Sequence, residues 1–317
     1  MMPAVSVIIP VYNTEPYMAR CARSLFGQTL EDLEFIFVDD GSSDRSMAVM
    51  QEVLEAFPER KAQVRCIRMP FNSGQAVVRM RALSMAAGDY VYHCDGDDEI
   101  APETCRLLYE KAVAEDLDIV TCNIMKEEAP GRWREICGAC SGVEAILRDT
   151  APPNLVCRLI RRSLFDGVTA PVADMGEDML LTLQVTLRSR RSGHVDKALY
   201  KYYYNGSSTS KAPGKEAVIA RWKALQGNMH VALELLSASW NVPGREAPIV
   251  HFKYNSRHVL EPVVHEKEGY RLWRETFPEV DRVLLRTPGI PLEKKVWYIL
   301  IRLHLFRPVK RLTRLFR

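Results

Sequence analysis

Along the first two hundred positions apolar residues gather in short continuous runs, and along the last hundred they recur at helical spacing. Val5 to Val11 and Leu33 to Val38 are near-continuous β-branched and aromatic runs, the pattern of strands buried on both faces of a parallel sheet. Val64 to Met69, Tyr90 to His93 and Asp118 to Asn123 read as further strands. Between them the spacing predicts helices from Pro16 to about Gly27, from a Ser42 or Ser43 cap through Phe57, from Gln75 to Ala87, and from Pro102 to about Glu115. Four strand-then-helix units in succession imply a mostly parallel sheet with right-handed crossovers. From about 124 to 170 the pattern is irregular, with Pro130-Gly131, Pro152-Pro153 and one short amphipathic piece, Leu155 to Phe165. A helix then follows Glu177-Asp178 to about Ser189, and two short strands lie near His194 to Asp196 and Leu199 to Tyr204. Beyond Pro213 two apolar stripes appear: Val218, Trp222, Leu225, Met229, Leu233 and Leu236, then Tyr270, Trp273, Phe277, Val280 and Leu284. The expectation is an α/β domain over 1–211 and a helical region over 212–317.

Composition narrows the class. With 317 residues and 47% hydrophobic content the chain can bury one large core plus an appendage, which excludes a disordered or fibrous protein. The formal charge of +3 hides an asymmetry, because Glu293 to Arg317 carries eight Lys/Arg and one Glu. No basic n-region with an apolar h-region opens the sequence, no run approaches a membrane span, and the eight Cys are scattered, so a cytosolic protein with reduced thiols is expected. Cys137-Gly138-Ala139-Cys140 lacks a second ligand pair and reads as a surface turn rather than a zinc site. His251, His258 and His265 recur every seven residues, about 10 Å along a helix at 1.5 Å per residue, too far apart for shared ligation, and read as a surface face.

Chemistry concentrates where strands end. The Tyr90 to His93 run leads into Asp95-Gly96-Asp97-Asp98, three carboxylates in four positions, a density that a divalent cation would relieve. Asp39-Asp40-Gly41-Ser42-Ser43-Asp44 is a second acidic loop at a strand end. In open α/β sheets ligands bind outside the carboxyl ends of the strands, so the two loops should meet in one cleft. Asp39 can accept a hydrogen bond from a nucleobase or ribose, while Asp40-Gly41-Ser42 also fits plain turn chemistry. Glu177-Asp178 opens a helix, where the dipole favours acids and also helps keep a general base ionised. Arg79, in the helix after Asn72-Ser73-Gly74, either meets a phosphate or faces solvent.

These segments resemble the inverting family-2 glycosyltransferases of GT-A fold. Val5-Ser6-Val7-Ile8-Ile9-Pro10-Val11-Tyr12-Asn13 looks like the opening strand of that family, Ser24-Leu25 to Gln28-Thr29 its S-L-x-x-Q-T element, and Val38 to Asp44 its nucleotide loop. Asn72-Ser73-Gly74 with Arg79 is similar to N-x-G-x-x-x-A-R-N, with Val78 and Met80 in place of the flanking Ala and Asn. Asp95-Gly96-Asp97-Asp98 resembles D-S-D-D, and Glu177-Asp178 the E-D pair. The resemblance spans about 2–210. It implies a GT-A, Rossmann-like sheet with a helical extension, a nucleotide sugar, usually UDP-linked, and Mn²⁺ or Mg²⁺. It implies that Asp39 contacts the base, that Pro10, Tyr12 and Asn13 line the same pocket, and that Arg79 approaches the diphosphate or ribose. Asp95 would lie near ribose and metal, Asp97 would be the more direct ligand with Asp98 as a substitute, and Asp178, beside Glu177, would be the base. Tyr203 stands where the family often has Arg in Tyr-Arg-x-x-x-x-Ser, so a diphosphate contact from that loop is not implied.

The tail, about 292–317, mixes aromatic, aliphatic and basic residues, a composition suited to peripheral contact with an anionic membrane at the cytoplasmic face or to a packed terminal helix. A lipid-linked or glycan acceptor for cell-surface polysaccharide synthesis would give such proximity a purpose. Nucleic-acid binding is not expected, because no recognition module accompanies the charge. A dinucleotide oxidoreductase is disfavoured by the lack of G-x-G-x-x-G after the first strand. The alternative of another class is a nucleotide-sugar-binding or membrane-scaffold protein that kept the fold and lost turnover.

Overall fold

The computed structural model describes residues 3–139, 142–205 and 214–306. They fall into two compact units, one holding the described residues up to 143 together with 151–205, the other holding 144–150 and 214–306.

The first unit contains β1 (Val5–Val11), α1 (Glu15–Phe26), β2 (Leu33–Asp39), α2 (Ser46–Leu54), β3 (Val64–Arg68), α3 (Gln75–Leu83), β4 (Tyr90–His93), β5 (Glu99–Ile100), α4 (Thr104–Ala114), β6 (Ile119–Ala129) and β7 (Arg132–Ile136). After α5 (Val143–Leu147), most of which belongs to the second unit, come β8 (Arg158–Arg161), α6 (Glu177–Arg188) and β9 (Ser192–Tyr202). The strands form one sheet in the order β3-β2-β1-β4-β8-β6-β9-β5, with β7 paired to β6. β3, β2, β1 and β4 are parallel, with Val5 opposite Leu33 and Ile8 opposite His93. The continuous apolar runs have their expected cause, since alternate residues serve two layers. Val7, Ile9, Phe35 and Phe37 pack with Met18, Leu25 and Phe26 of α1 and Leu108 of α4. Ile8, Ile36, Val38 and Val91 pack with Val78 and Ala82 of α3 and with Leu181 and Val185 of α6. The mostly parallel α/β architecture is thus as the pattern implied.

Four local expectations change. Leu155 to Phe165 is not simply amphipathic: β8 lies antiparallel between β4 and β6, with Arg158, Leu159 and Ile160 buried. The buried Arg158 guanidinium donates to the Pro152 carbonyl, which hides a strand behind a charged letter. The irregular stretch after 124 is a hairpin, β6 extending to Ala129 against β7. The two late strands are one, β9, whose register against β6 slips at Cys122, Asn123 and Ile124. Helix α2 also begins later than a Ser42 or Ser43 cap predicts, because Asp44 Oδ1 accepts the Ser46 amide (3.0 Å) and hydroxyl (2.5 Å) and closes the turn there.

The second unit has α7 (Lys215–Ser239), α8 (Glu246–Asn255), α9 (Lys267–Glu275), α10 (Val280–Val283) and α11 (Leu292–Arg302). Its core joins Val218, Tyr254, Leu260, Leu272, Trp273, Val280, Leu284, Tyr298 and Ile301. Arg257 is buried beside it, its guanidinium over the Trp273 ring and bonded to Asp281 Oδ1 (2.6 Å), the Thr276 carbonyl and the Phe277 carbonyl. His251 corrects the surface-face expectation: it is buried, within 3.2 Å of Lys294 Nζ, and burial with that ammonium pushes its pKa down to about 4. No described helix is long and apolar enough to cross a membrane. The part of the expected membrane tail from 307 to 317 lies outside the described residues.

Candidate active site

Two loops at the carboxyl ends of β1 and β2 are bonded into one body. Asn13, at φ 50°, accepts the Ser43 amide on Oδ1 (2.9 Å), and its own amide donates to Ser42 Oγ (3.1 Å). Asp44 Oδ2 accepts the Glu15 amide, and Glu15 Oε2 accepts the Arg45 amide, so each loop satisfies orphan donors at the other's helix end. Within this body Asp39 is 1% exposed; its Oδ1 accepts the Ser42 amide, and Arg68 Nη1 lies 3.4 Å from Oδ2. That Oδ2 has no hydrogen-bond partner, an unmet acceptor of the kind a buried site seldom leaves without use. Asp40 does different work. Its two oxygens accept the Ser73 amide (2.7 Å) and the Gly74 amide (2.9 Å), fixing the loop that opens α3.

The first turn of α3 is where the site converges. Gln75 Nε2 is 3.4 Å from Asp95 Oδ1, and the Ala76 amide donates to Asp174 Oδ1 (3.0 Å), which ties the segment before α6 to α3. Gly74 sits at φ +91°, a backbone conformation that favours glycine, and a Cβ there would also come within 2.4 Å of the Asp174 carboxylate. One turn further on, Arg79 is 2% exposed. Its Nη2 donates to Asp95 Oδ1 (2.7 Å), its Nη1 lies 3.2 Å from His93 Nδ1, and its Nε stands 3.5 Å from Glu177 Oε1 without making a hydrogen bond. His93 is fully buried, and burial together with Arg79 holds its pKa well below the ordinary range. The neutral ring therefore accepts from Arg79 at Nδ1, which puts its proton on the partnerless Nε2.

The acids around Arg79 are unequal. Burial first and the Asp178 charge second push Glu177 up to about 8, against the pull of Arg79. A poorly aligned 3.5 Å approach is too weak a compensation for a side chain that is 8% exposed. Asp178 is half-buried; its Oδ1 accepts the Met179 amide (2.7 Å), and burial, opposed by Arg79, raises its pKa. Gly176 enters the helix at φ 82°, which turns the acid pair into the first turn of α6.

At the end of β4 the three Asp differ likewise. Asp98 is 2% exposed, its Oδ2 accepting from the Tyr200 hydroxyl (2.6 Å) and its Oδ1 from the Tyr203 amide (2.9 Å). Its two oxygens anchor β9 at Tyr200 and the residue that follows the strand. Asp97 is half-buried, and burial with the Asp95 charge raises its carboxyl pKa while Asn205 Nδ2 donates to Oδ2 (2.9 Å). Among the described residues no group of three or more His, Cys, Asp or Glu side chains is arranged to hold a metal ion. Asp95 and Asp97 are a pair of carboxylates whose charges repel. Tyr203, in place of Arg, donates to Glu99 Oε2 (2.8 Å). Its ring carries the guanidinium of Arg20 at 3.3 Å, and Arg20 Nη2 donates to the Asp97 carbonyl (2.6 Å). A cation therefore reaches this turn from α1.

Of the expected site residues, Arg79, Asp95, Glu177 and Asp178 share one electrostatic cluster, and Asp97 adjoins Asp95. Asp39 and Asn13 lie in the β1–β2 loop body; Tyr12 is exposed beside them, and the Pro10 carbonyl comes so close to Gly96 that a Cβ there would stand 3.1 Å from it. His93, Asp174, Tyr200, Asn205 and Arg20 were not singled out beforehand. Only His93 carried a usable signal, a polar letter in a strand otherwise buried on both faces.

Three comparisons bear on this geometry. A family model described as Glycosyl transferase family 2 matches residues 6–148. Uncharacterized glycosyltransferase EpsJ of Bacillus subtilis is 32% identical over 232 residues, covering 69% of this chain and 66% of that protein. The chain thus spans slightly less than two thirds of that relative's length. Among solved structures, S. aureus TarS 1–349 in complex with UDP-GlcNAc superposes with a TM-score of 0.70 at 18% identity, over 99% of this chain and 92% of that one. Mannosyltransferase PcManGT from Pyrobaculum calidifontis, in complex with GDP-Man and Mn²⁺, gives 0.58 at 16% identity, over 98% and 88%. These two likenesses establish a common fold.

Proposed function

This chain belongs to glycosyl transferase family 2, and from that premise we propose a metal-dependent, inverting enzyme. It moves a sugar from a nucleotide donor, UDP-linked by preference, to a hydroxyl of a glycan or lipid-linked acceptor in cell-surface polysaccharide synthesis. One observation carries the reading. The buried Arg79 guanidinium joins Asp95, at the strand end where a donor diphosphate would lie, to the Glu177-Asp178 pair that would serve the acceptor. UDP-GlcNAc and GDP-Man in the two fold neighbours support a nucleotide sugar in this cleft.

In this reading the unmet Asp39 Oδ2 accepts a nucleobase N–H or a ribose hydroxyl, and Tyr12 and Asn13 border the nucleoside. Asp97 and Asp95 would hold Mn²⁺ or Mg²⁺, and the ion would supply charge compensation for the departing diphosphate. Asp98, committed to Tyr200 and Tyr203, positions the turn instead of ligating. Arg79 does not face solvent as a free phosphate ligand; it orients Asp95 and sets the charge felt by Asp178. Burial holds the Glu177 carboxyl up to about 8, and Asp178, its Oδ1 fixed by the Met179 amide, takes the proton of the acceptor hydroxyl on Oδ2 as the acceptor oxygen attacks the anomeric carbon in line and the nucleoside diphosphate departs. The anomeric configuration inverts. Arg20, stacked on Tyr203 above the Asp97 turn, favours an active enzyme over a binding-only relative, since a guanidinium persists where the loop lacks one. We also place the protein at the cytoplasmic face of a membrane, in peripheral contact through 292–317.

A panel of nucleotide sugars titrated with and without Mn²⁺ or Mg²⁺ tests the assignment. A UDP-sugar is expected to bind in the presence of metal, and Asp97→Ala to remove the metal dependence. Asp178→Asn should keep donor binding and cut transfer by about a hundredfold or more. Unchanged metal-dependent binding in Asp97→Ala would show the site to be wrongly placed.

A further inference from the structure

We propose that the outward face of α11 is a docking surface for a bilayer rich in anionic phospholipid; this deepens, and rests on, the peripheral membrane contact in the reading above. Leu292, Val296, Ile299 and Leu303 are 77%, 44%, 41% and 60% exposed. At 100° per residue they fall within about 60° of one another on the helix, a single stripe. The opposite side is already used, with Tyr298 and Ile301 buried in the helical core. The helix is therefore apolar on two faces, and only one is covered by protein.

Its rotation is fixed by charge. Lys294 Nζ donates to Asn255 Oδ1 (2.8 Å), Lys295 Nζ to the Leu285 and Thr287 carbonyls (2.8 and 3.1 Å), and Arg302 Nη1 to Asp281 Oδ2 (2.8 Å). The three basic side chains that made this segment look like a simple cationic anchor are thus turned to internal partners. They clamp the stripe outward. Leu285, brought beside the helix by Lys295, is exposed too. Contiguous exposed apolar residues of this kind mark an interaction surface.

The occupant follows from what the chain carries next. Residues 307–317 hold five Lys/Arg and no acid directly after the stripe. An apolar face followed by concentrated positive charge matches acyl chains beneath anionic headgroups. A second copy of this chain fits less well, because it would add a second segment with the same five Lys/Arg and no acid to offset the charge.

The test uses full-length protein and vesicles of phosphatidylcholine alone or with about a third phosphatidylglycerol, followed by flotation. Wild type should bind the anionic vesicles at least about tenfold more tightly than the neutral ones. Val296→Asp combined with Ile299→Asp should lower that affinity by at least about tenfold, with nucleotide-sugar binding unchanged. Leu292→Ser with Leu303→Ser, at the two most exposed positions, gives the same readout should the first pair unfold. Wild-type affinity retained by both folded variants, or no binding of wild type to anionic vesicles, overturns the proposal. So does light scattering that shows the stripe variants only converting a dimer to a monomer. Donor binding measured in the same samples separates this outcome from failure of the glycosyltransferase reading.

Discussion

Arg79 and Glu177 show how far one side chain's meaning depends on its neighbours. In sequence Arg79 was a cation that could meet a phosphate or face solvent; in the fold it is enclosed and committed to Asp95 and His93. Glu177, lifted from 4.5 to about 8 mainly by burial, gives a testable sign. Between those values the native state holds a proton that the unfolded chain has released. Stability therefore falls as pH climbs from 4.5 to about 8 and levels off above that, by on the order of 1 kcal/mol per pH unit. Glu177→Gln, permanently neutral, should flatten this slope, read as urea midpoints from pH 5 to 8. An unchanged slope would mean that Glu177 is not the group titrating. The pair was legible as an acid pair opening a helix, but which member stays charged was not, because burial is a property of the assembled site.

Helix α3 and strand β8 mark the two extremes of what an element reveals locally. Asn72-Ser73-Gly74 followed by a helical pattern announced α3 and a loop that approaches something closely. The partner, Asp174, lies 98 residues away and bore no local signal. Asp174→Ala should cost about 1 kcal/mol through loss of the Ala76 amide bond. It should also lower kcat severalfold with little change in donor Kd, because it releases the segment that leads into Glu177 and Asp178. A stability loss with kcat unchanged would make Asp174 merely a cap. β8 stayed hidden for another reason: four residues with two arginines carry too little periodicity to compete with the flanking proline-rich text, and only pairing with β4 and β6 makes Arg158–Arg161 a strand.

Beside its apolar core the helical unit holds a charge cluster centred on Asp281. Asp281 receives Arg257 and Arg302, with Arg274 Nε 3.6 Å away. Asp281→Asn would strand the buried Arg257 charge, an effect of about 3 kcal/mol. Four of the five Trp, 222, 240, 273 and 297, lie in this unit, so denaturant unfolding followed by tryptophan fluorescence should show the loss directly. A shift below about 0.5 kcal/mol would place the stability of the unit elsewhere. Hydrophobic periodicity, which depends only on near neighbours, already carried the parallel sheet, its alternation with helices and the helical texture after Pro213. The acid motifs at strand and helix ends, read together with the family resemblance, supplied the nucleotide, metal and base candidates. Tertiary structure decided everything that depends on distant partners: the insertion of β8, the recruitment of 144–150 to the helical unit, the withdrawal of Asp98 and Arg79 into internal pairs, and the exposed stripe of α11. The physical reason is common to all of these, since burial and charge pairing are fixed by groups far apart in the chain, and no local pattern records them.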